Sequence, residues 1–357
     1  MLNYLINNYI TIILLVGAVT LFANYSKIGH KNLSFFKLLI LYIVLLIAVT
    51  DIENYFGNLD HVTIYRYIFS ILGYTLRPLI VLTFILTTID ITRKQRINLH
   101  IPIIITFLIY STSFFSPVSF RFGPNNNFIR GPLGYVSHIV SFFYLVLLVY
   151  YVHKTYPSIR KEEKNYLALN TMFSICAFFL EMFNYYEARN ILNSSILVSA
   201  IFYYIFIYIY YSKRDVLTNI YNRQIFYEDI VNYDKKITSI MSLDMNGLKM
   251  INDTYGHAAG DKALIEISNI LFSVGSDSII FYRIGGDEFA AICLNKSQNE
   301  IKEIINLIET KLKEKNLSCS IGYSFRDKQE TALELYKEAD KKMYKAKAKH
   351  YKDLEEE

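Results

Sequence analysis

Apolar residues are distributed unevenly along this chain, and that distribution limits the folds it can adopt. Seven mainly apolar runs precede Tyr211, whereas charged residues are interspersed throughout the remainder. A helix that crosses a bilayer needs about 20 mainly apolar residues. We therefore predict a multi-domain chain, with an all-α polytopic membrane bundle over residues 1–211 and a soluble domain over residues 212–357. The predicted spans are Leu5–Tyr25, Phe35–Val49, Tyr67–Thr88, Leu99–Phe115, Val136–Val152, Leu167–Tyr185 and Ile191–Tyr210.

Lys and Arg residues lie mainly in alternate loops, after the first, third, fifth and seventh runs. Short loops rich in these residues remain on the cytoplasmic side of a membrane. The soluble domain follows the seventh run, so we expect it in the cytoplasm and the N-terminus outside. The longest external loop, Ser116–Leu133, is rich in Gly, Pro and Asn and is expected to form a structured turn region.

Several ionisable residues fall at or inside the apolar runs, namely Arg77, Asp51, His138 and Glu181. A charge in a bilayer is costly and usually faces the interior of a helix bundle. One hypothesis is a polar cavity that binds a signal, with Arg77 paired to Glu181 or Asp51. The alternative is a structural ion pair that fixes the register of the helices.

The overall composition argues against a nucleic-acid partner. The formal net charge is only +5, and no basic cluster with interleaved aromatic residues suggests a nucleic-acid groove. The three cysteines lie in apolar stretches without the spacing of metal ligands.

The soluble part contains Tyr282–Phe289, which reads Tyr-Arg-Ile-Gly-Gly-Asp-Glu-Phe, between two apolar, β-prone runs. This pattern predicts a hairpin whose tip is Gly285-Gly286 followed by two acids. The glycines can adopt positive φ and can let a bulky ligand approach the backbone. The adjacent carboxylates of Asp287 and Glu288 suit Mg²⁺, which takes oxygen ligands and is usually shared with substrate phosphates.

Three further blocks precede or accompany this hairpin. Asp215, Leu217-Thr218 and Asn222-Arg223 open the domain. An apolar strand then ends in Asp244, and a helix-rich stretch follows it. That stretch contains Lys249, Ile251-Asn252-Asp253, Gly256-His257 and Gly260-Asp261. Together with the hairpin, these blocks resemble the GGDEF family, the diguanylate cyclases, from about Asp215 to Tyr351.

The order of elements predicts an α/β sandwich with an antiparallel sheet and helices mainly on one face. The resemblance independently implies the ferredoxin-like core of the nucleotidyl cyclases. It also implies that Asp287 is the base for the 3′-hydroxyl of GTP. The implied Mg²⁺ ligands, with Mn²⁺ as an alternative ion, are Asp244, the Met245 carbonyl, Asp287 and Glu288. The implied substrate-binding residues are Asn252 and Asp261 for guanine, Lys249 and Lys347 for the phosphates, and Gly285 and Gly286 at the hairpin tip.

The chain departs from the family pattern at two places. The usual Gly-Arg-Asn after the last helix is replaced by His350-Tyr351-Lys352. The inhibitory Arg-x-x-Asp site of many relatives would begin at Ser276 and end at Ile279, so we expect no product inhibition through it.

The resemblance, together with the apolar runs, implies a membrane-bound homodimer that condenses two GTP into cyclic di-GMP and two pyrophosphates under the control of a sensed signal. Dimer contacts are expected in both the GGDEF domain and the membrane bundle, which contacts the lipid bilayer. The alternative is a catalytically weak or inactive receptor that only binds nucleotide or partners, which the altered end of the last helix supports. A transporter is disfavoured because the helix pattern shows no repeat.

Overall fold

The computed structural model describes residues 2–23, 33–89, 91–156, 161–183, 189–327 and 330–356. The chain divides into two compact units, Met1–Ile209 and Tyr210–Glu357. Each unit has its own hydrophobic clusters.

Helices make up nearly all of the N-terminal unit. The described residues form α1 (Leu2–Ala23), α2 (Leu33–Gly57), α3 (Ile64–Thr88), α4 (Arg93–Ser111), α5 (Val136–Thr155), α6 (Lys161–Phe183) and α7 (Arg189–Ser212). Five of the helices found there are long and apolar enough to cross a membrane. These five candidate spans are Ser34–Gly57, Ile64–Thr88, Arg93–Phe114, Val136–Thr155 and Asn193–Ser212. The count of seven membrane spans therefore stays a prediction.

Helix α3 is the most buried of these candidate spans, with 56% of its apolar window inside the unit. It packs against α2 and α5, and a hydrogen bond from Ser70 Oγ to Glu53 Oε1 (2.9 Å) ties it to α2. Arg77 therefore lies on the most buried of these candidate spans and is itself half-buried. The Glu181 side chain, proposed as its partner, lies outside the described part of the chain, as do Lys27, Lys31 and Arg160 of the basic loops.

The stretch between α4 and α5 is structured, as expected. Strand β1 (Phe120–Phe122) pairs antiparallel with β2 (Phe128–Arg130). Phe120 packs with Tyr74 and Tyr110 in an aromatic cluster, and the Tyr110 hydroxyl donates to the Gly134 carbonyl at 2.8 Å.

A five-stranded sheet forms the centre of the C-terminal unit. Its strands are β3 (Tyr221–Asn222), β4 (Ile237–Met245), β5 (Ile279–Arg283), β6 (Glu288–Leu294) and β7 (Cys319–Phe325), in the order β3-β5-β6-β4-β7. The pairs β5–β6, β6–β4 and β4–β7 are antiparallel, which is the arrangement of a ferredoxin-like core. The short β3 adds a parallel edge beside β5.

Helices cover both faces of this sheet: α8 (Arg223–Asn232), α9 (Leu248–Tyr255), α10 (His257–Val274), α11 (Gln298–Glu314) and α12 (Ala332–Glu356). Met241 and Leu243 pack in one core with residues of α10 and α11. Ile240 packs in a second core with residues of α8 and α12. The prediction of helices mainly on one face is therefore wrong. Strand β4 is apolar on both faces, as a strand covered on both sides requires.

Helix α12 contacts β7 backbone to backbone at Gly322. A Cβ at this position would lie 2.7 Å from Met343 Cα and closer still to Met343 N and Ala339 O. Glycine is therefore required for this approach. The contact places the middle of α12 beside the central strands, where its polar side chains reach the end of β4.

Candidate functional site

The acidic residues meet where β4 ends and β6 begins. Asp244 and Glu288 are direct partners in the antiparallel register, so their side chains lie on the same face of the sheet. The Met245 amide donates to the Asp287 carbonyl at 3.0 Å, which fixes the third acid beside them. Asp244 is only 4% exposed.

Arg283 supports the hairpin tip from the end of β5. Its Nη2 donates to the Gly286 carbonyl at 2.7 Å, and its Nη1 forms an ion pair with Asp215 Oδ1 at 2.7 Å. The same oxygen accepts hydrogen bonds from the Thr218 amide and hydroxyl. The opening Asp-x-Leu-Thr block is thus a turn that anchors the Gly-Gly-Asp-Glu hairpin. The sequence singled out Asp215 but did not indicate this role for Arg283.

The two hairpin glycines differ in their surroundings. A Cβ on Gly285 would lie 2.5 Å from Glu288 Oε2, so this glycine makes room for the Glu288 side chain. A Cβ on Gly286 would meet nothing within 4 Å, so Gly286 borders open space. Neither glycine adopts positive φ; in the described residues Gly247 and Gly256 are the glycines that do. The positive φ that glycine permits is therefore not used at the tip, and of these two glycines it is Gly286 that leaves room for a ligand.

Lys347 reaches the acids from α12. Its Nζ lies 2.6 Å from Asp244 Oδ1, and the two side chains are 27% and 6% exposed. They border a cavity of about 480 Å³. Sequence reasoning missed most of the α12 side of this cavity, although its members follow the spacing of one helix face. That side comprises Lys337, Asp340, Lys341, Met343, Tyr344 and Lys347.

Burial and neighbouring carboxylates raise the pKa of two acids at this cavity. Burial raises the pKa of Asp244 above its usual value, and the neighbouring Asp287 and Asp340 add to the rise, although Lys347 opposes it. Burial likewise raises the pKa of Glu288, and the charge of Asp244 adds to that shift. Like charges held close together in this way are relieved by a bound cation.

The donor set fits Mg²⁺ or Mn²⁺ that is shared with a substrate. Among the described residues, no three or more Asp, Glu, His or Cys side chains form a closed metal site. Mg²⁺ typically needs only one or two carboxylates, because substrate phosphates and water complete its shell. Asp244 and Glu288, paired across the strands, supply two.

Asn252 and Asp261 come from consecutive helices. Gly260 makes their proximity possible, since a Cβ there would lie 2.9 Å from Asn252 Cγ and closer still to its Oδ1. Asn252 is half-buried and Asp261 is exposed, so both can reach a ligand. Lys249 is exposed on α9 and lies outside the residues that border the 480 Å³ cavity.

The end of α12 contains His350-Tyr351-Lys352, the residues that replace the Gly-Arg-Asn of the family pattern, and it contacts the loop before α9. The Tyr351 hydroxyl accepts a hydrogen bond from the Gly247 amide at 3.3 Å. Gly247 directly precedes α9, which carries Lys249 and Asn252. This hydrogen bond connects the last turns of α12 to the loop that follows Asp244.

Known proteins match the C-terminal unit. Residues 212–353 match the family described as "Diguanylate cyclase, GGDEF domain". Diguanylate cyclase DgcN of Escherichia coli (strain K12) is 34% identical over 148 residues, which cover 37% of this chain and 36% of that protein. Diguanylate cyclase A of Treponema denticola is 29% identical over 184 residues, covering 46% and 49%. A solved microbial GGDEF domain with cyclic di-GMP is 30% identical, and the match covers 38% of this chain and 94% of that one, with a TM-score of 0.35.

The chain thus matches about a third to a half of the length of these curated relatives. The matched region coincides with the unit that contains the ferredoxin-like sheet, the Gly-Gly-Asp-Glu hairpin and the acidic cavity. Residues 212–353 are therefore a GGDEF domain of the diguanylate cyclase family.

Proposed function

We propose that this chain is a membrane-bound diguanylate cyclase that condenses two GTP into cyclic di-GMP and two pyrophosphates. The observation that carries the proposal is the convergence of Asp244, Glu288 and Lys347 on one side of the sheet, with Asp287 next to Glu288 at the hairpin tip. Phosphoryl transfer depends mainly on positioning and on charge stabilisation, and this arrangement supplies both kinds of group.

In the proposed reaction, the 3′-hydroxyl of one GTP attacks the α-phosphorus of the other. A P–O bond forms, the bond from the α-phosphorus to the bridging oxygen breaks, and pyrophosphate leaves. Asp287 accepts the proton of the attacking hydroxyl. A second, equivalent step closes the ring. A divalent ion held by Asp244, the Met245 carbonyl, Asp287 and Glu288 would stabilise charge on the phosphates, and Lys347 and Lys249 would contact the same groups.

Asn252 and Asp261 would select guanine. A carboxylate can accept hydrogen bonds from N1–H and the 2-amino group, and an amide can donate to a ring acceptor. An adenine edge offers no such donors, which leaves Asp261 unpaired, and an unpaired polar group costs about 1–3 kcal/mol in a desolvated site.

Each domain would hold one GTP, so two domains must face each other and the active form is a homodimer. The five long apolar helices support membrane attachment, and the basic loops support a cytoplasmic location for the GGDEF domain. A signal sensed by the N-terminal unit would set the dimer geometry.

A receptor without turnover is the second candidate. The altered helix end at His350-Tyr351-Lys352 and the ion pair that already engages Asp244 favour it. The hydrogen bond from Gly247 to Tyr351 favours the cyclase, because it gives the substituted helix end a contact with the nucleotide side of the domain.

The decisive experiment measures cyclic di-GMP formed from GTP and Mg²⁺ by the full chain in lipid nanodiscs. Asp287→Asn preserves the shape of the side chain and removes its basic oxygen, so product should fall below detection. Asp277→Asn, at an exposed loop position, is the matched control and should retain wild-type activity. A folded wild-type protein that binds GTP and forms no product would establish the receptor instead.

A further inference from the structure

We propose that Lys341 of α12 is a substrate-binding residue that contacts the terminal phosphates of the bound nucleoside triphosphate. This role rests on the proposed use of GTP, and it extends the phosphate-binding residues beyond Lys249 and Lys347. Its test reads binding rather than turnover, so a failure of this assignment is distinguishable from a failure of the cyclase proposal.

The cavity beside α12 is lined by side chains of both charges. Its volume is about 480 Å³, and its charged lining residues are Asp244, Glu288, Asp340, Lys337, Lys341 and Lys347. The three carboxylates carry one negative charge more than a single Mg²⁺ neutralises. Without the lysines, a phosphate group that approached the bound cation would therefore still meet net negative charge. The lysines allow the cavity to hold a cation and a phosphate chain together.

The size of the cavity suits a triphosphate but not a whole nucleotide. A cavity of roughly 150 Å³ takes one benzene, so about 480 Å³ takes about 19 non-hydrogen atoms. A triphosphate chain with one cation has about 14 such atoms, whereas GTP has about 32. Asn252 and Asp261, the proposed guanine readers, lie outside the residues that line the cavity. The cavity therefore matches the triphosphate part of the substrate, with the base outside it.

Helical spacing distributes the lysines along the length of the cavity. Lys337, Lys341, Tyr344 and Lys347 recur in steps of four, three and three residues, which places them on one helix face. Lys347 marks the carboxylate end, because its Nζ lies 2.6 Å from Asp244 Oδ1. Lys341 comes six residues earlier, about 9 Å along the helix axis. A triphosphate whose cation is held at Asp244 would therefore present its far end to Lys341.

The charge of Lys341 is available to a ligand. Two neighbouring lysines of α12 are engaged, since Lys342 forms an ion pair with Glu338 at 2.6 Å and Lys347 forms one with Asp244. Within the described ranges of the chain, no carboxylate forms such a pair with Lys341. Its side chain is exposed, so it can turn toward a phosphate without breaking an existing ion pair.

Two contacts fix the backbone of α12 at this point. Ser242 Oγ, on β4, donates to Asp340 Oδ1 at 3.1 Å, and Asp340 directly precedes Lys341. The close approach at Gly322 holds the same turns of α12 against β7. The Lys341 side chain therefore extends from a fixed position, and only its own flexible stem must be ordered when phosphate binds.

The test uses the full chain in nanodiscs of zwitterionic phosphatidylcholine with Mg²⁺. Equilibrium dialysis measures a labelled GTP analogue with a methylene bridge between its α- and β-phosphates, which prevents release of pyrophosphate. Lys341→Gln should weaken binding of this analogue about tenfold, as expected for loss of one charge-assisted hydrogen bond at a partly solvated site. GMP lacks the terminal phosphates, so it should bind the wild type and the variant equally.

Two further variants separate a phosphate contact from an effect on the helix. Lys342→Gln is the matched control, because Lys342 is adjacent on α12, is also exposed and does not line the cavity. It should bind the analogue as the wild type does. Lys341→Arg keeps the positive charge and should bind within about twofold of the wild type. Added salt should narrow the gap between the wild type and Lys341→Gln, since it screens exposed charges.

Equal affinity of the wild type and Lys341→Gln for the analogue would overturn the assignment and leave the cyclase proposal standing. So would an equal loss of GMP binding, or the same loss in Lys342→Gln, which would indicate only the general charge of the helix. A tenfold loss confined to Lys341→Gln, in a protein that forms no cyclic di-GMP, would support the assignment and refute the cyclase. A wild type that does not bind the analogue would overturn both.

Discussion

Gly260→Ala isolates the contribution of Asn252 to guanine recognition. The added Cβ would lie 2.9 Å from Asn252 Cγ, whereas ordinary contact begins at 3.4 Å, and its distance to Oδ1 is shorter still. The amide must therefore move by about half an ångström or more, enough to break a well-aligned hydrogen bond. Loss of that bond in a desolvated site costs about 1–3 kcal/mol, or roughly a 5- to 150-fold loss of kcat/KM for GTP.

Helix stability does not confound this substitution. Gly260 lies within α10, and Gly to Ala inside a helix stabilises by about 0.5–1 kcal/mol. The added Cβ would also lie 3.1 Å from Leu248 Cδ1, so a thermal unfolding curve of Gly260→Ala separates displacement of Asn252 from altered packing. Gly275→Ala is the matched control: it follows α10, has an ordinary φ of −65°, and its Cβ would find its nearest atoms at 3.4 Å.

The assay is steady-state release of pyrophosphate with GTP and with ATP. Displacement of a base-reading group should lower the GTP-to-ATP ratio of kcat/KM, whereas general damage would lower both values together. Wild-type kcat/KM with an unchanged ratio in Gly260→Ala would refute the assignment of Asn252 as a guanine reader.

Three further perturbations test the framework of the domain. Gly322→Ala forces α12 away from β7 and should lower Tm by several degrees, because overpacking costs about 1–3 kcal/mol; an unchanged Tm contradicts the backbone contact. The pKa of Asp215 is lowered from its usual value of 3.8, because the hydrogen bonds from Thr218 and Arg283 outweigh the effect of burial, which alone would raise it. Its contribution to stability is present above that value and is lost as pH falls through the lower folded pKa, so Asp215→Asn should flatten acid unfolding curves in that window. Tyr351→Phe should raise KM for GTP severalfold by removing the acceptor for Gly247, whereas Tyr255→Phe, on an exposed position of α9, should not.

The spacing of the motifs predicted those elements of the C-terminal domain that depend on neighbouring residues in the sequence. The hairpin occurs where the pattern places it, and β4 ends at Met245, one residue beyond Asp244. Strand pairing then brings Asp244 opposite Glu288, although the two residues lie 44 positions apart in the sequence. The sequence could not predict the α12 side of the cavity, because Asp340 and Tyr344 reach the acids only through the backbone contact at Gly322.

The error about the faces of the sheet has a physical origin. A strand such as Ile237–Met245 is apolar almost throughout, so its pattern does not say which side a helix covers. The reason for glycine at position 285 is likewise not visible in the local sequence. Gly285 is small because Glu288 folds over it, a tertiary demand that turn propensity does not contain.

The position of β4 has a consequence for hydrogen exchange. This strand is paired on both sides, by β6 and β7, so its amides should exchange only when the whole domain unfolds. The hairpin tip that carries Asp287 is exposed at Gly286 and should open at a much lower free energy. We therefore expect Asp244 and Asp287, two carboxylates of the proposed metal site, to belong to different cooperative unfolding units. Mild denaturant should release a bound metal ion before the sheet itself unfolds.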